Sequence, residues 1–161
     1  MRRKFGKGLI VGRFQPIHKG HVEAIRNALK ECEEMTIAIG SAQEKGTGRN
    51  PFSARERKKM IAKSLGKDAK RVSFCEIIDY GNDPKWRKAL IRKCGKFEVA
   101  YSNNGHVRKV LKKVCEVKPM VSHFRISGTE IRKTAAKGKK EWKKSVPKEI
   151  ANEAEKKLGR Q

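Results

Sequence analysis

The sequence predicts an α/β fold, doubly wound, with helices on both faces of a mostly parallel sheet of five to six strands. Three observations carry that expectation. Short apolar runs bounded by glycine or turn residues recur along the chain. Between them lie stretches whose apolar residues repeat at helical spacing, the βαβ order in which each parallel strand needs a crossover helix. The length, 161 residues, holds one sizeable core and not two, so residues 1–161 are read as a single domain.

Residues 8–14, GLIVGRF, form an apolar run opened by glycine and read as a buried strand. From Lys19 to Glu33, the positions of Val22, Ile25, Ala28 and Leu29 mark an amphipathic helix. MTIAIG (35–40) is a second buried strand, and SAQEKGTGRNP after it is a polar, glycine-rich loop. Ser53 and Glu56 make the S-x-x-E of a capping box, so a helix opens within FSARERKKMIAKSL. RVSFCEII is a third strand. Asp83 then serves as an N-cap before Pro84 at the first helical position, starting a helix that runs to about Cys94. FEVAYS is a fourth strand, a helix spans about Asn104 to Lys113, and VCEVKPM is a fifth strand. Ser127 and Glu130 repeat the capping box in SGTEIRKTAA. A basic helical segment begins near residue 133, and a last amphipathic helix starts after Pro147. In sheets of this kind ligands bind beyond the carboxyl ends of the strands, so the residues following each strand are where a site is expected.

Charge narrows the partners. Forty-one Lys and Arg face seventeen Asp and Glu, for a formal net charge of +24. That balance favours anions, whether nucleotides or nucleic acid, and equally suits a lysine-rich solvated exterior. Eight basic residues between Arg132 and Lys148 face Glu141 alone. No helix-turn-helix, zinc-finger or RNP signature accompanies them and aromatics are few, so nucleic acid ranks behind free nucleotides. Cys32, Cys75, Cys94 and Cys115 lack the spacing of a zinc site and read as buried free thiols in a reducing cytoplasm. No apolar run is long enough to cross a membrane and MRRKFGKGLIVG lacks a signal region, so a cytoplasmic location without a membrane partner is expected.

Two stretches point to anion chemistry. In VGRFQPIHKGH (11–21), a helix starting at His18 or Lys19 puts His18 and His21 on one face. They then sit at a helix amino end, where free N–H groups and the dipole attract anions. Gly20 lets a phosphate approach the backbone, and two imidazoles can donate to phosphoryl oxygens. The stretch is neither a Walker loop nor an HEXXH helix, and no metal ligand is expected from protein side chains. Standing alone, the pair reads equally as ordinary loop histidines. SGTEIR (127–132) presents Ser127 and Thr129 at a capped helix start with Arg132 one turn in. Standing alone, it reads equally as a well-capped surface helix.

GRFQPIHKGH after a first strand resembles the signature of the HxGH nucleotidyltransferases, and among them that of the archaeal-type nicotinamide-nucleotide adenylyltransferases. IGSAQ (39–43), NPFSARER (50–57) and SGTEIR agree in order and spacing, so the resemblance runs from about Gly8 to Pro147. It implies a Rossmann-like nucleotidyltransferase fold. It also implies a reaction in which the 5′-phosphate of nicotinamide mononucleotide attacks the α-phosphate of ATP in line, releasing pyrophosphate and NAD. Catalysis is then positioning plus charge stabilisation, with Mg2+ or another divalent cation bound with ATP. A homo-oligomer is implied as well.

By the same resemblance His18, His21, Arg13 and Arg132 are catalytic, with His21 nearest the α-phosphate and Arg132 on the β- and γ-phosphates. Gly12, Phe14, Gly20, Ser127 and Thr129 join Arg13, His21 and Arg132 in binding ATP. Trp86, Arg49 and Gln43 bind the mononucleotide, with Trp86 as the platform for the pyridine ring. Read without the resemblance, Trp86 is equally a core residue at a helix start and Arg49 an exposed loop arginine. Asn103 and Asn104 are equally turn residues or contacts to a base or ribose. His106 and His123 have no motif around them and read as surface or satisfied-core residues, and Trp142 as packing for the end of the chain.

Some stretches depart from the family pattern, which has a small residue in place of Arg55, YSGNP in place of YSNNG (101–105), and a spacer unlike DYGNDPKW (79–86) before the tryptophan. Related enzymes that move AMP or CMP onto flavin mononucleotide, phosphopantetheine or glycerol phosphate carry GTFD or GSFD before their histidines, whereas GRFQP here favours the nicotinamide branch. A reading of another class is a basic nucleic-acid-binding module on the same fold.

Overall fold

The computed structural model describes residues 2–159. Its strands are β1 (Phe5–Gly12), β2 (Cys32–Ile39), β3 (Val72–Glu76), β4 (Val99–Tyr101) and β5 (Glu116–Lys118). Its helices are α1 (Lys19–Glu31), α2 (Ala54–Leu65), α3 (Asp83–Cys94), α4 (Gly105–Leu111), α5 (Gly128–Ala136) and α6 (Lys148–Glu155), with 3-10 turns at Gly66–Arg71 and Glu141–Ser145. The sheet order is β3-β2-β1-β4-β5, and every neighbouring pair is parallel. This is the expected doubly wound α/β arrangement, with five strands. The winding reverses between β1 and β4, which opens a crevice at their carboxyl ends.

Side chains of successive strand residues point to opposite faces, so a strand covered on both sides must be apolar throughout. In β1, Leu9 packs on the side of Ala89, Leu90 and Leu111 from α3 and α4, whereas Ile10 packs with Val22, Ile25, Met60, Ile61, Ile131 and Ile150 from α1, α2, α5 and α6. Ile37 and Ile39 of β2 join the second group, and Ala38 joins the first. Trp142 is buried with the second group, at the end of the chain as expected.

Four expectations are corrected. β2 starts at Cys32, directly after α1, because Cys32 and Met35 already pack against Gly8 of β1; a Cβ there would lie 2.8 Å from the Cys32 sulfur. The N-cap of α3 is Asn82 and not Asp83. The Asn82 Oδ1 accepts the Lys85 N–H, and Asp83 enters the first turn, where its charge complements the dipole. The capping box of α2 forms in full, but at α5 only half forms: Ser127 Oγ accepts the Glu130 N–H, while the Glu130 carboxylate lies 3.7 Å from Lys133. Of the four expected free thiols, Cys75 and Cys94 form a disulfide, with Cα atoms 5.7 Å apart, because α3 folds back over β3 and brings its last residue onto the strand. Cys32 and Cys115 are free. Among the described residues, no helix is long and apolar enough to cross a membrane.

Candidate active site

The loop from β1 to α1 supplies the center of the site. His18 is the N-cap of α1, and it builds an unusual capping box with His21: the His21 N–H donates to His18 Nδ1 at 3.2 Å, and the His18 N–H donates to His21 Nδ1 at 3.3 Å. The roles that Ser and Glu fill in an ordinary box are filled here by two imidazoles. Their rings stack with centroids 3.6 Å apart.

An Nδ1 that accepts a hydrogen bond carries no proton, so each neutral ring keeps its proton on Nε2. Neither Nε2 has a partner among the described residues, and no side-chain nitrogen or oxygen is buried without one, so both remain open to the cleft as donors. Burial lowers the His18 imidazole to about 4. Burial, with His18 alongside, holds His21 well below its ordinary value. The pair is therefore neutral at pH 7, a donor array that carries no charge of its own until an anion meets it.

Gly12, Phe14 and Gly20 shape the surroundings of this pair. Phe14 has a positive φ of 53° and its ring meets the edge of His21 at 4.9 Å. A Cβ on Gly12 would come within 2.9 Å of the Phe14 ring, so only glycine lets that ring fold back. A Cβ on Gly20 would lie 3.1 Å from the His18 ring.

Three arginines converge beside the histidines. Arg132 reaches from α5 to donate through Nη1 to the Gln15 carbonyl at 2.8 Å and through Nη2 to Thr129 Oγ1 at 3.2 Å. It is thus tied to a residue three positions before His18, so the first loop and the late helix meet. Arg13 approaches Asn50 Oδ1 at 3.4 Å. The Arg132 guanidinium is lowered from its ordinary value by burial, then by Arg13 and Arg49; Arg13 is lowered by burial and by Arg49 and raised by Asp79. Mutual repulsion among Arg13, Arg49 and Arg132 is what an anion would relieve.

A cavity of about 540 Å³ adjoins this cluster at the reversal between β1 and β4. Gly12 and Arg13 line it on one side, and Trp86, Asp83 and His106 line it on another. Of the residues expected at a mononucleotide, Trp86 lines the cavity. Gln43 instead spends its amide on Asp79, donating to Oδ2 at 2.7 Å and accepting the Asp79 N–H at 3.2 Å. Arg49 is exposed on its loop near Arg13 and Arg132. Ser127 and Thr129 use their oxygens as acceptors within α5, as cap and as rest for Arg132. Asn104 caps α4 and lines the cavity, whereas Asn103 clasps Met120, donating to its carbonyl and accepting its N–H. His123 pairs with Glu23 away from the cavity. Among the described residues, no group of three or more His, Cys, Asp or Glu is placed to hold a metal ion.

Sequence reasoning missed several residues. Gln15, buried, clasps Phe52 by donating to its carbonyl at 2.8 Å and accepting its N–H at 2.9 Å. Arg57, wholly buried, donates to the carbonyls of Arg13, Gly40, Ser41 and Ser53 at 2.7–3.3 Å and so ties the ends of β1 and β2 to α2. The available signal was a charged residue on the buried stripe of α2, in spacing with Met60, Ile61 and Ser64. Asp83 and His106, joined at 2.9 Å, were missed because the residues that bring them together lie on two different helices.

The chain is similar to several known proteins. The sequence pattern of the cytidylyltransferase-like family matches residues 9–134. A nicotinamide-nucleotide adenylyltransferase of Pyrobaculum neutrophilum is 36% identical over 151 residues, 90% of this chain and 85% of that protein. One from Halobacterium salinarum is 37% identical over 149 residues, 91% of this chain and 84% of that protein. Among solved structures, a bifunctional NMN adenylyltransferase/ADP ribose pyrophosphatase from Francisella tularensis, complexed with AMP and a manganese ion, superposes with a TM-score of 0.71 at 23% identity over 90% of this chain. The present chain spans 44% of that longer protein, and the likeness shows a shared fold.

Proposed function

The chain belongs to the cytidylyltransferase-like family and, within it, to the nicotinamide-nucleotide adenylyltransferases, and on that premise we propose that it transfers AMP from ATP to the 5′-phosphate of nicotinamide mononucleotide, yielding NAD and pyrophosphate. The observation that carries this reading is the meeting of two distant segments: Arg132 of α5 is bonded to Gln15, three residues before the neutral donor pair His18 and His21.

The roles are those the family resemblance implies, and the arrangement of the side chains supports them. The mononucleotide phosphate oxygen attacks the α-phosphorus, the bond to the β-phosphate oxygen breaks, and the pyrophosphate leaves with the electron pair. Nothing in this step needs a covalent bond to the protein, so the chain's contribution is alignment and charge stabilisation. His18 and His21 donate from Nε2 to phosphoryl oxygens, and His21 does so where charge builds at the α-phosphate. Arg132 holds the β- and γ-phosphates and follows the departing pyrophosphate. Arg13 steadies phosphate charge from the end of β1, and Arg49 faces the mononucleotide phosphate. Trp86 stacks on the pyridine ring in the adjoining cavity.

A divalent cation, Mg2+ in this reading, would arrive with ATP and be held by phosphate oxygens. When bound, it shields the triphosphate charge.

The test is incubation with ATP, Mg2+ and separate phosphate acceptors: nicotinamide mononucleotide, flavin mononucleotide, phosphopantetheine and glycerol phosphate. Pyrophosphate release with NAD formation in the first is expected. Release with another acceptor alone would move the chain to a different branch, and no release with any would overturn the reading.

A further inference from the structure

Two of the stretches that depart from the family pattern, DYGNDPKW and YSNNG, meet at one end of the cavity. The first supplies Asp79, Asn82, Asp83 and Trp86; the second leads into Asn104 and His106. His106 Nε2 lies 2.9 Å from Asp83 Oδ1, a bridge between the first turns of α3 and α4 beside Trp86. That contact occupies one Asp83 oxygen and leaves Oδ2 without a partner among the described residues.

The neighbouring side chains are oriented by their own helices. Asn82 and Asn104 are the N-caps of α3 and α4, and each spends its Oδ1 on a backbone N–H, of Lys85 and of Val107. Each side-chain NH2 is thereby left to serve the cavity. Asp79 is held by Ser41 Oγ at 3.1 Å and by Gln43 Nε2 at 2.7 Å. The charged groups lining the cavity are therefore Arg13, Asp79 and Asp83, with His106 paired to Asp83. Of these, Arg13 belongs with Arg49 and Arg132 at the phosphate side, so the end that holds Trp86 carries carboxylate.

We infer that Asp83, held in place by His106, is a specificity-determining residue that admits a pyridine carboxamide and rejects the corresponding pyridine carboxylate. The inference rests on the proposed function, since it concerns the ring that Trp86 stacks. A carboxamide brings two N–H donors, one of which the free Asp83 oxygen accepts, and its carbonyl takes a hydrogen bond from Asn82 or Asn104 Nδ2. A carboxylate brings no donor, loses that bond, and sets a second negative charge against Asp83. A site built around a donor discriminates against the analogue that lacks it, through unpaired polar groups more than through lost contact.

The experiment measures kcat/KM for nicotinamide mononucleotide and for its deamidated counterpart, nicotinate mononucleotide, with the dissociation constant of each measured by calorimetry. The chain, Asp83→Asn and His106→Gln are compared. The unaltered chain favours the amide by about 100-fold. Asp83→Asn, whose side chain can donate to a carboxylate, lowers that preference at least tenfold, chiefly by improving use of the acid. His106→Gln, which keeps the carboxylate and can still donate to it, retains most of the preference. The inference is overturned if the unaltered chain uses both substrates equally, or if Asp83→Asn weakens both in proportion, as a purely structural role would. Absence of turnover and binding for both mononucleotides in the unaltered chain would instead sink the proposed function itself.

Discussion

In the proposed reaction the two histidines of the first loop would serve structure and chemistry with different atoms of the same ring. Each Nδ1 closes the amino end of α1, and this leaves each Nε2–H as the donor. Replacing His21 with Ala should lower kcat by about 100-fold or more, with a smaller change in KM for ATP, because a donor aimed at developing charge acts mainly in the transition state. Steady-state kinetics with saturating mononucleotide measures this; a KM effect with unchanged kcat would give His21 a ground-state role. Arg57 is the opposite case, a cation that makes four hydrogen bonds, all to backbone carbonyls. Arg57→Met removes those bonds, although the Ser53 and Ser41 carbonyls keep the backbone N–H groups of residue 57 and Glu44, and should destabilise the fold by roughly 2–4 kcal/mol. Thermal melting would then show a Tm lower by roughly 5–15 °C. An unchanged Tm would mean that water replaces the guanidinium at little cost.

At the scale of elements, the start of α1 is a tightly constrained turn. A Cβ at position 20 would press on the His18 ring at 3.1 Å, a ring that is itself stacked on His21 with centroids 3.6 Å apart. Gly20→Ala should therefore separate stability from activity. Alanine is the better helix former by about 1 kcal/mol, which offsets the local crowding, while displacement of the donor pair lowers kcat by about tenfold or more. Urea unfolding and turnover measured on the same variant test this, and a fall in both together would point to general disruption. The starts of α3 and α4 show the same economy on a smaller scale. Asparagine caps both, and the cap that starts each helix also fixes which way its amide faces the cavity.

For the whole molecule, parallel order with reversal between β1 and β4 brings the ends of four strands, and the helices that follow them, around one crevice. The same folding makes stability depend on pH. His18, held neutral down to about 4 against an ordinary 6.5, binds a proton more readily in the unfolded chain, so between those values unfolding takes up protons and stability falls as pH falls. His21 acts in the same direction. Glu23, held to about 2 chiefly by the Ser122 hydroxyl and also by His123, adds a loss below about 4.5. Urea midpoints should be level above about pH 7 and decline from about 6.5 toward 4, and His18→Asn should flatten that decline. A variant whose midpoints keep the original slope would assign the decline to other groups.

Much of this was legible in the linear chain, because it depends on neighbours within a few residues. Apolar runs marked the strands, helical spacing marked the helices, Ser53 with Glu56 marked a capped start, and His18 with His21 marked the start of α1, since each of these patterns closes its hydrogen bonds or its apolar face locally. The beginnings and ends of strands were less legible, as at Cys32, where packing across to Gly8 extends β2 backward to the helix. The tertiary structure alone decided what joins distant segments: the Cys75–Cys94 bond, Arg57 spanning three segments, Arg132 reaching Gln15, and Asp83 meeting His106 beside Trp86. Those contacts depend on which strands lie side by side, and strand order is set by how the two apolar faces of the sheet are covered, a property of the assembled core and of no single stretch.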